Sequence, residues 1–447
     1  MLKVNDTIEF IAKDYCDEGT TGEYEGYRVF VSDAIVGEKA LVKINHVKRN
    51  VAYGNVIKIL IPSEKRVKPQ CSLYGKCGGC SLMHLDYSEQ LVFKRNKVER
   101  NLRKIGNIFA DVLPCVASPK VVGYRNKLSL PVSGKKGNVK IGMYRRSSHV
   151  VVDVDDCLLG GEWSQKLVRI FRVYFNNAGV QPYDEKTFKG EVRHIVARYV
   201  DGQLLATIVS NGKFCHDVKP LVDALKRNFE KFGLFVNENT YKNNVILGKK
   251  FEKLYGNDYI EGEHFGVKFR LRPGSFFQVN DGVKDLIYAK AKQLLDVSQT
   301  EVLVDCFSGI GILSNALCSD DYDTFAVEIE PSAVRDADEM AQLNNASRLA
   351  NVLGDVCKEL PQIALRNKGK LMSLVVDPPR KGLGADICST ICNSRFDNIV
   401  YISCDPATLA RDLAFLSDYY EIKYVQPYDM FPNTDQVETV VCITRRQ

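Results

Sequence analysis

No apolar run in this 447-residue chain approaches the roughly 18 residues that a membrane span requires. The opening stretch, MLKVNDTIEF, lacks the apolar core of a secretory signal. These absences exclude a membrane helix and make the cytoplasm the expected compartment, where thiols stay reduced. No internal repeat or low-complexity tract stands out either. What remains is the composition of a soluble globular protein, 45% apolar and 26% charged. Its length exceeds one ordinary core, so two or three domains are expected. Fourteen cysteines in a reducing compartment point to metal binding or catalysis by some of them, not to a disulfide framework.

A net charge of +6 conceals an asymmetry. Residues 1–40 carry 4 Lys/Arg against 9 Asp/Glu, whereas residues 41–146 carry 22 against 5. Self-repulsion on that scale needs a compensating partner, and a phosphate backbone is the usual one. Arg125 and Lys127 in GYRNK, with Lys135, Lys136, Arg145 and Arg146, are the expected RNA contacts.

Residues 1–62 alternate in YRVFV and ALVKI with glycine at the breaks, as in short antiparallel strands closing an OB-type barrel. The stretch EYEGYRVFVSDAIVGEKALVKI also resembles a TRAM domain, an RNA-binding barrel appended to RNA-modifying enzymes. Residues 63–265 are expected to form an α+β middle domain. It opens with the cysteine loop CSLYGKCGGC and an amphipathic basic helix, apolar at Leu91, Val98, Leu102 and Ile105. HDVKPLVDALKRNFEKFG is the one helix expected further along. In residues 266–447 apolar strands alternate with helices, so a doubly wound α/β sheet is expected, with an antiparallel pair at its edge.

DCFSGIGILS sets Asp305 at a strand end, with Gly309 and Gly311 where backbone meets ligand; Glu328 ends the next strand. A nicotinamide dinucleotide would fit that pattern, but Ser314 stands where its third glycine belongs. VVDPPR decides the class better. A strand ending in Asp377-Pro378-Pro379 looks like the D-P-P element of adenosylmethionine-dependent nucleic-acid methyltransferases. Arg380 stands where the amino-methylating branch has a base-stacking aromatic, which disfavours an exocyclic amine as target.

A ring carbon is the alternative target. Uracil C5 becomes nucleophilic only after a thiolate adds to C6, and a base must then remove the C5 proton. Cys404 in YISCDPATLARD follows a strand and precedes a helix opened by Pro406, whose positive end is expected to lower the thiol pKa.

FFQVN, DCFSGIG, VVDPPRKG, YISCDPATLARD and QPYDMFPNTDQVE occur in this order. With their spacing they resemble the RNA 5-methyluridine methyltransferase family, which includes 23S rRNA and tRNA uracil-5-methyltransferases. The resemblance implies Cys404 as nucleophile, Glu438 as base, and Gln278, Phe307, Glu328 and Asp377 as contacts to S-adenosylmethionine. Three positions depart from the family pattern. Asp405 replaces Asn, Gln436 replaces His, and Phe307-Ser308 replaces Tyr-Cys.

Cys71, Cys77 and Cys80, with Cys157 as a fourth, suit zinc or an iron–sulfur cluster. Paired CxxC motifs of a zinc ribbon are absent, and the resemblance implies a 4Fe–4S cluster. The resemblance also implies the substrate: a TRAM barrel with a cluster is typical of the family's 23S rRNA enzymes, so 23S rRNA is the expected substrate and the tRNA T-loop the second. A monomer is expected. The rival readings are an RNA-binding protein with a relict catalytic fold and an amino-methylase built on D-P-P.

Overall fold

The computed structural model describes residues 1–17, 19–295 and 298–446. Its C-terminal sheet runs β1 (Val302–Cys306), β2 (Asp323–Glu328), β3 (Leu349–Leu353), β4 (Met372–Val376), β5 (Asn398–Ser403), β6 (Tyr420–Tyr428) and β7 (Glu438–Arg445). The spatial order is β3-β2-β1-β4-β5-β7-β6. The first five are parallel, and β7 is antiparallel to both β5 and β6. β1 and β4 are buried throughout, because helices cover both faces. Two apolar clusters fill those faces, one around Val304, Val376 and Tyr401, the other around Leu303, Val375 and Val440.

The expected antiparallel edge is present, with one feature that matters for chemistry. The last strand inserts between β5 and β6, so its first residue lies beside the end of β5.

Upstream, a six-stranded sheet spans Thr7–Ile11 to Val51–Ile61. It is antiparallel except where Tyr27–Val31 pairs with Val51–Ile61 in parallel. A second seven-stranded sheet carries helix Glu162–Asn177 against it. That helix was not foreseen. The helix expected from HDVKPLVDALKRNFEKFG is also shorter, spanning Lys219–Lys226. Lys231 onward enters a strand, whose apolar residues pack in the middle core.

The basic helix Tyr87–Gly106 lies against the helix Pro406–Leu416, with Val98 and Leu102 in one cluster with Leu409 and Leu413. Ile105, expected on that stripe, is half exposed. Beyond the helix, residues 113–116 run along β6: Leu113 N–H donates to Val425 and Val116 N–H to Pro427, and Asp429 N–H returns to Val116. The first half of the chain thus completes the edge of the second half's sheet.

Candidate active site

The carboxyl edge of the sheet collects the motif residues. After β1 the chain turns sharply at Phe307, whose φ of 68° is uncommon for a residue with a side chain. Gly309 and Gly311 follow with φ of 57° and 79°. Glu328, at the tip of β2, accepts from Gly309 N–H at 3.0 Å and from Glu330 N–H at 2.8 Å. One carboxylate therefore fastens the glycine turn to the next strand. Asp377 follows β4 directly, and Gln278 Nε2 donates to its Oδ2 at 3.4 Å.

Gln278 is held there from three directions. Asn126 Nδ2 donates to its carbonyl at 2.9 Å. Arg198, buried, donates to Ser275 O at 2.9 Å and to Phe277 O at 3.5 Å. Asn280 caps helix Asp281–Leu294 through Val283 N–H. The GYRNK element is thus part of the scaffold of this site through its asparagine.

Asp305, Glu328 and Asp377 converge, and among the described residues no cation offsets the rise in the Asp305 and Asp377 pKa values. Burial pushes the Asp305 carboxyl up to about 7, with the charges of Asp377 and Glu328 adding, although Ser314 donates to it. Burial likewise pushes Asp377 up to about 7 against the Gln278 hydrogen bond. Clustered buried carboxylates of this kind suit a ligand carrying positive charge.

Cys404 lies one residue beyond β5. Ser403 pairs with Thr439, so continuing the antiparallel register sets Cys404 beside Glu438, the first residue of β7. Glu438 is 3% exposed, and its Oε2 has no hydrogen-bond partner. Burial, then the charge of Asp377, raises its pKa well above the usual carboxylate range, while Arg380 opposes the rise. A cleft of about 320 Å³ opens on Cys404, lined also by Arg380, Lys97, Asn101 and Gln436.

The helix start does not lower the Cys404 pKa as expected. Burial pushes the thiol up to about 12, and Glu438, Asp377 and Asp405 add to the rise, with Arg380 the opposing cation. Asp405 is itself the helix N-cap, accepting from Ala407 N–H at 2.9 Å and Thr408 N–H at 3.0 Å. The amides meant to favour a thiolate are occupied by a carboxylate.

Arg380 is the residue that sequence reasoning undervalued. In sequence, its place in the loop after Pro379 only disfavours an amine target. In the fold it is the cation acting on both Cys404 and Glu438, and it donates to Gln436 Oε1 at 3.2 Å. Asp412 anchors the same loop, accepting from Leu383 N–H at 2.7 Å, Gly384 N–H at 3.2 Å and Tyr401 OH at 2.9 Å. The helix that starts beside Cys404 therefore fixes the loop bearing Arg380.

Cys71, Cys77, Cys80 and Cys157 line a single cavity of about 430 Å³, with Arg125 and Lys127 in its wall. Burial raises the Cys77 and Cys157 thiols and brings Cys80 up to about 12, and the neighbouring thiols add to each rise. Four thiols on one cavity are a donor set of the type that can hold a metal centre. Among the described residues, however, no three His, Cys, Asp or Glu side chains are grouped as a metal site. Arg125 and Lys127 are half-buried at these thiols instead of lying on an open RNA face; burial, then Arg198 and Arg125, brings Lys127 down to about 8. Lys135, Lys136, Arg145 and Arg146 are exposed.

The strand order, the acidic cofactor edge and the thiol–carboxylate pair define a methyltransferase-type doubly wound protein. A family model described as tRNA (Uracil-5-)-methyltransferase matches residues 87–446. A protein of Listeria innocua, described as an uncharacterized RNA methyltransferase, is 36% identical over 448 residues, covering 99% of each chain. Another so described, from Clostridium tetani, is 38% identical over 435 residues, 95% of this chain and 94% of its own. Among solved structures, the Pyrococcus abyssi tRNA (uracil-54, C5)-methyltransferase in complex with S-adenosyl-L-homocysteine matches with a TM-score of 0.78. That match has 25% identity and covers 98% of this chain and 99% of the other. The chain belongs to the tRNA (uracil-5-)-methyltransferase family and is an RNA methyltransferase.

Proposed function

We propose that the protein methylates C5 of a uridine in RNA, with Cys404 as nucleophile and Glu438 as base. The observation that carries the reading is their juxtaposition: β7 returns antiparallel beside β5, which sets a buried carboxylate, its Oε2 without a partner, beside the thiol next to the cofactor edge. The Cys404 thiolate adds to C6, and the electron pair moves to C5. S-adenosylmethionine supplies the methyl group and a positive charge. Glu438 then takes the C5 proton, the C5–C6 double bond re-forms, and the C6–S bond breaks to return the thiolate. Gln278, Phe307, Glu328 and Asp377 would hold the cofactor; Arg380 favours the ionised forms of both catalytic groups.

The RNA approaches across basic and aromatic surface. Phe30 and Tyr53 stack with centroids 5.4 Å apart, and both line a cleft of about 700 Å³ with Arg145 and Arg146. Aromatic faces beside arginines suit unpaired bases on a phosphate chain. We take 23S rRNA as the first substrate, on the pairing of strand-rich N-terminal unit and cysteine loop. The full-length likeness to the Pyrococcus abyssi enzyme favours tRNA as the second, since that likeness includes the N-terminal unit. Four thiols lining one cavity support a 4Fe–4S cluster, which would tie the loop to the middle sheet; iron and sulfide analysis after anaerobic purification tests it. Incubation with labelled S-adenosylmethionine and unmodified total RNA, followed by mapping of the label, tests activity and substrate together. Expected is 5-methyluridine in rRNA, lost in Cys404→Ala; label on an exocyclic amine, or unaltered transfer by Cys404→Ala, would overturn the reading.

A further inference from the structure

The loop between β6 and β7, which delivers Glu438, is fastened by residues far away in sequence. Ser81 Oγ donates to Asp435 Oδ1 at 2.7 Å and accepts from Asp435 N–H at 2.9 Å. Ser81 and Leu82 N–H groups both donate to Asn433 O, at 3.0 and 2.9 Å. Gln90 Oε1 accepts from Asn433 N–H at 3.0 Å. Lys97 Nζ donates to Asp435 O at 3.0 Å and stands 3.6 Å from Asp435 Oδ2.

Glu438 lies three residues past Asp435, and Gln436, between them, receives the bond from Arg380. At its other end the clasp begins at Ser81, the residue immediately after Cys80. We propose that Ser81 and Asp435 are positioning residues for proton abstraction: through them the cysteine loop sets where the Glu438 carboxylate stands. The inference rests on Glu438 being the base. It adds that the geometry of that base is dictated by the segment that follows Cys80 rather than by the sheet alone.

Displacing a base by about 1 Å can cost up to about a hundredfold in the step it serves, while leaving the nucleophile untouched. The steps separate experimentally. Adduct formation and methyl transfer need Cys404; release of methylated RNA from the adduct needs Glu438. With labelled cofactor, the protein–RNA adduct is scored on a denaturing gel against free methylated RNA. Ser81→Ala should slow release at least about tenfold with adduct formation unchanged within about twofold. Ser81→Thr, which keeps the hydroxyl, should restore release. Asp435→Ala removes the clasp from its other end and should reproduce the Ser81→Ala partition, which serves should Ser81→Ala fail to fold. Equal slowing of both steps, or no change in either, would overturn the proposal. Glu438→Gln run alongside separates the two readings. If it traps adduct and the clasp variants do not, the clasp fails alone; if it traps none, the base assignment fails and the clasp with it.

Discussion

Asp405 caps the helix that begins beside Cys404, its Oδ1 accepting from Ala407 and Thr408 N–H groups at 2.9 and 3.0 Å. The carboxylate that should oppose thiolate formation is thereby engaged with two backbone donors. Asparagine caps equally well without the charge. Asp405→Asn should therefore keep the melting temperature and raise Cys404 reactivity modestly, whereas Asp405→Ala should cost about 1 kcal/mol of stability. Thermal melts and iodoacetamide labelling of Cys404 measure both.

Arg380 faces two acids whose pKa values burial raises. Replacing it with alanine removes the cation that lowers both pKa values, so the Cys404 thiol, already at about 12, moves higher still. The alkylation rate of Cys404 at a fixed alkaline pH should fall, and the rise of the pH–rate profile should shift to higher pH. Arg380→Lys should recover part of the rate, since it keeps the charge and loses the planar donor to Gln436.

Cofactor affinity should depend on pH through Asp305 and Asp377. Both carboxyls are raised from 3.8 to about 7, so the free protein holds protons there that the unfolded chain gives up near pH 4. With more protons bound to the folded state, stability of the free protein falls as pH rises from about 4 to about 7. A positively charged ligand favours the ionised carboxylates and releases those protons. S-adenosylmethionine should bind more tightly at pH 8 than at pH 5.5, and calorimetry in buffers of different ionisation enthalpy should register proton release. A pH-independent affinity would contradict this account.

Lys94 and Asp429 form an ion pair in which both side chains are fully buried, with Phe431 O as a second acceptor for the ammonium. It joins the basic helix to the start of the loop that delivers Glu438. Lys94→Met leaves a buried carboxylate alone and should destabilise by about 3–5 kcal/mol. Lys94→Met combined with Asp429→Asn should recover much of that loss. Denaturant melts of the single and double variants give the coupling.

The parts of the site legible in sequence are those whose chemistry is local. DCFSGIG, VVDPPR and SCDPATLARD each describe a strand end and its turn, so a few consecutive residues carry the information. Even there, the sign of the Cys404 shift was misread. Whether a helix start favours a thiolate depends on what already occupies its amides, and Asp405 does. Pairs such as Arg380–Gln436, Lys94–Asp429 and Ser81–Asp435 leave no spacing to read, because the fold alone makes them neighbours. Helix Glu162–Asn177 escaped notice for a different reason. Its EWSQKLVRIFRVYFNN is rich in β-branched and aromatic residues, and it is helical because Leu167, Phe171 and Phe175 bury one face against the middle sheet.

Residues 113–116 have a bearing on biogenesis. β6 is the outer strand of a large sheet, and an open outer strand invites pairing with another chain. Its cover belongs to the first half of the polypeptide and leaves the ribosome long before β6 does. This outer strand is thus made after its cover, when its partner is already waiting. A fragment beginning at residue 266 would carry that strand bare, and self-association through its exposed backbone, rather than loss of any catalytic group, is what should first betray the cut.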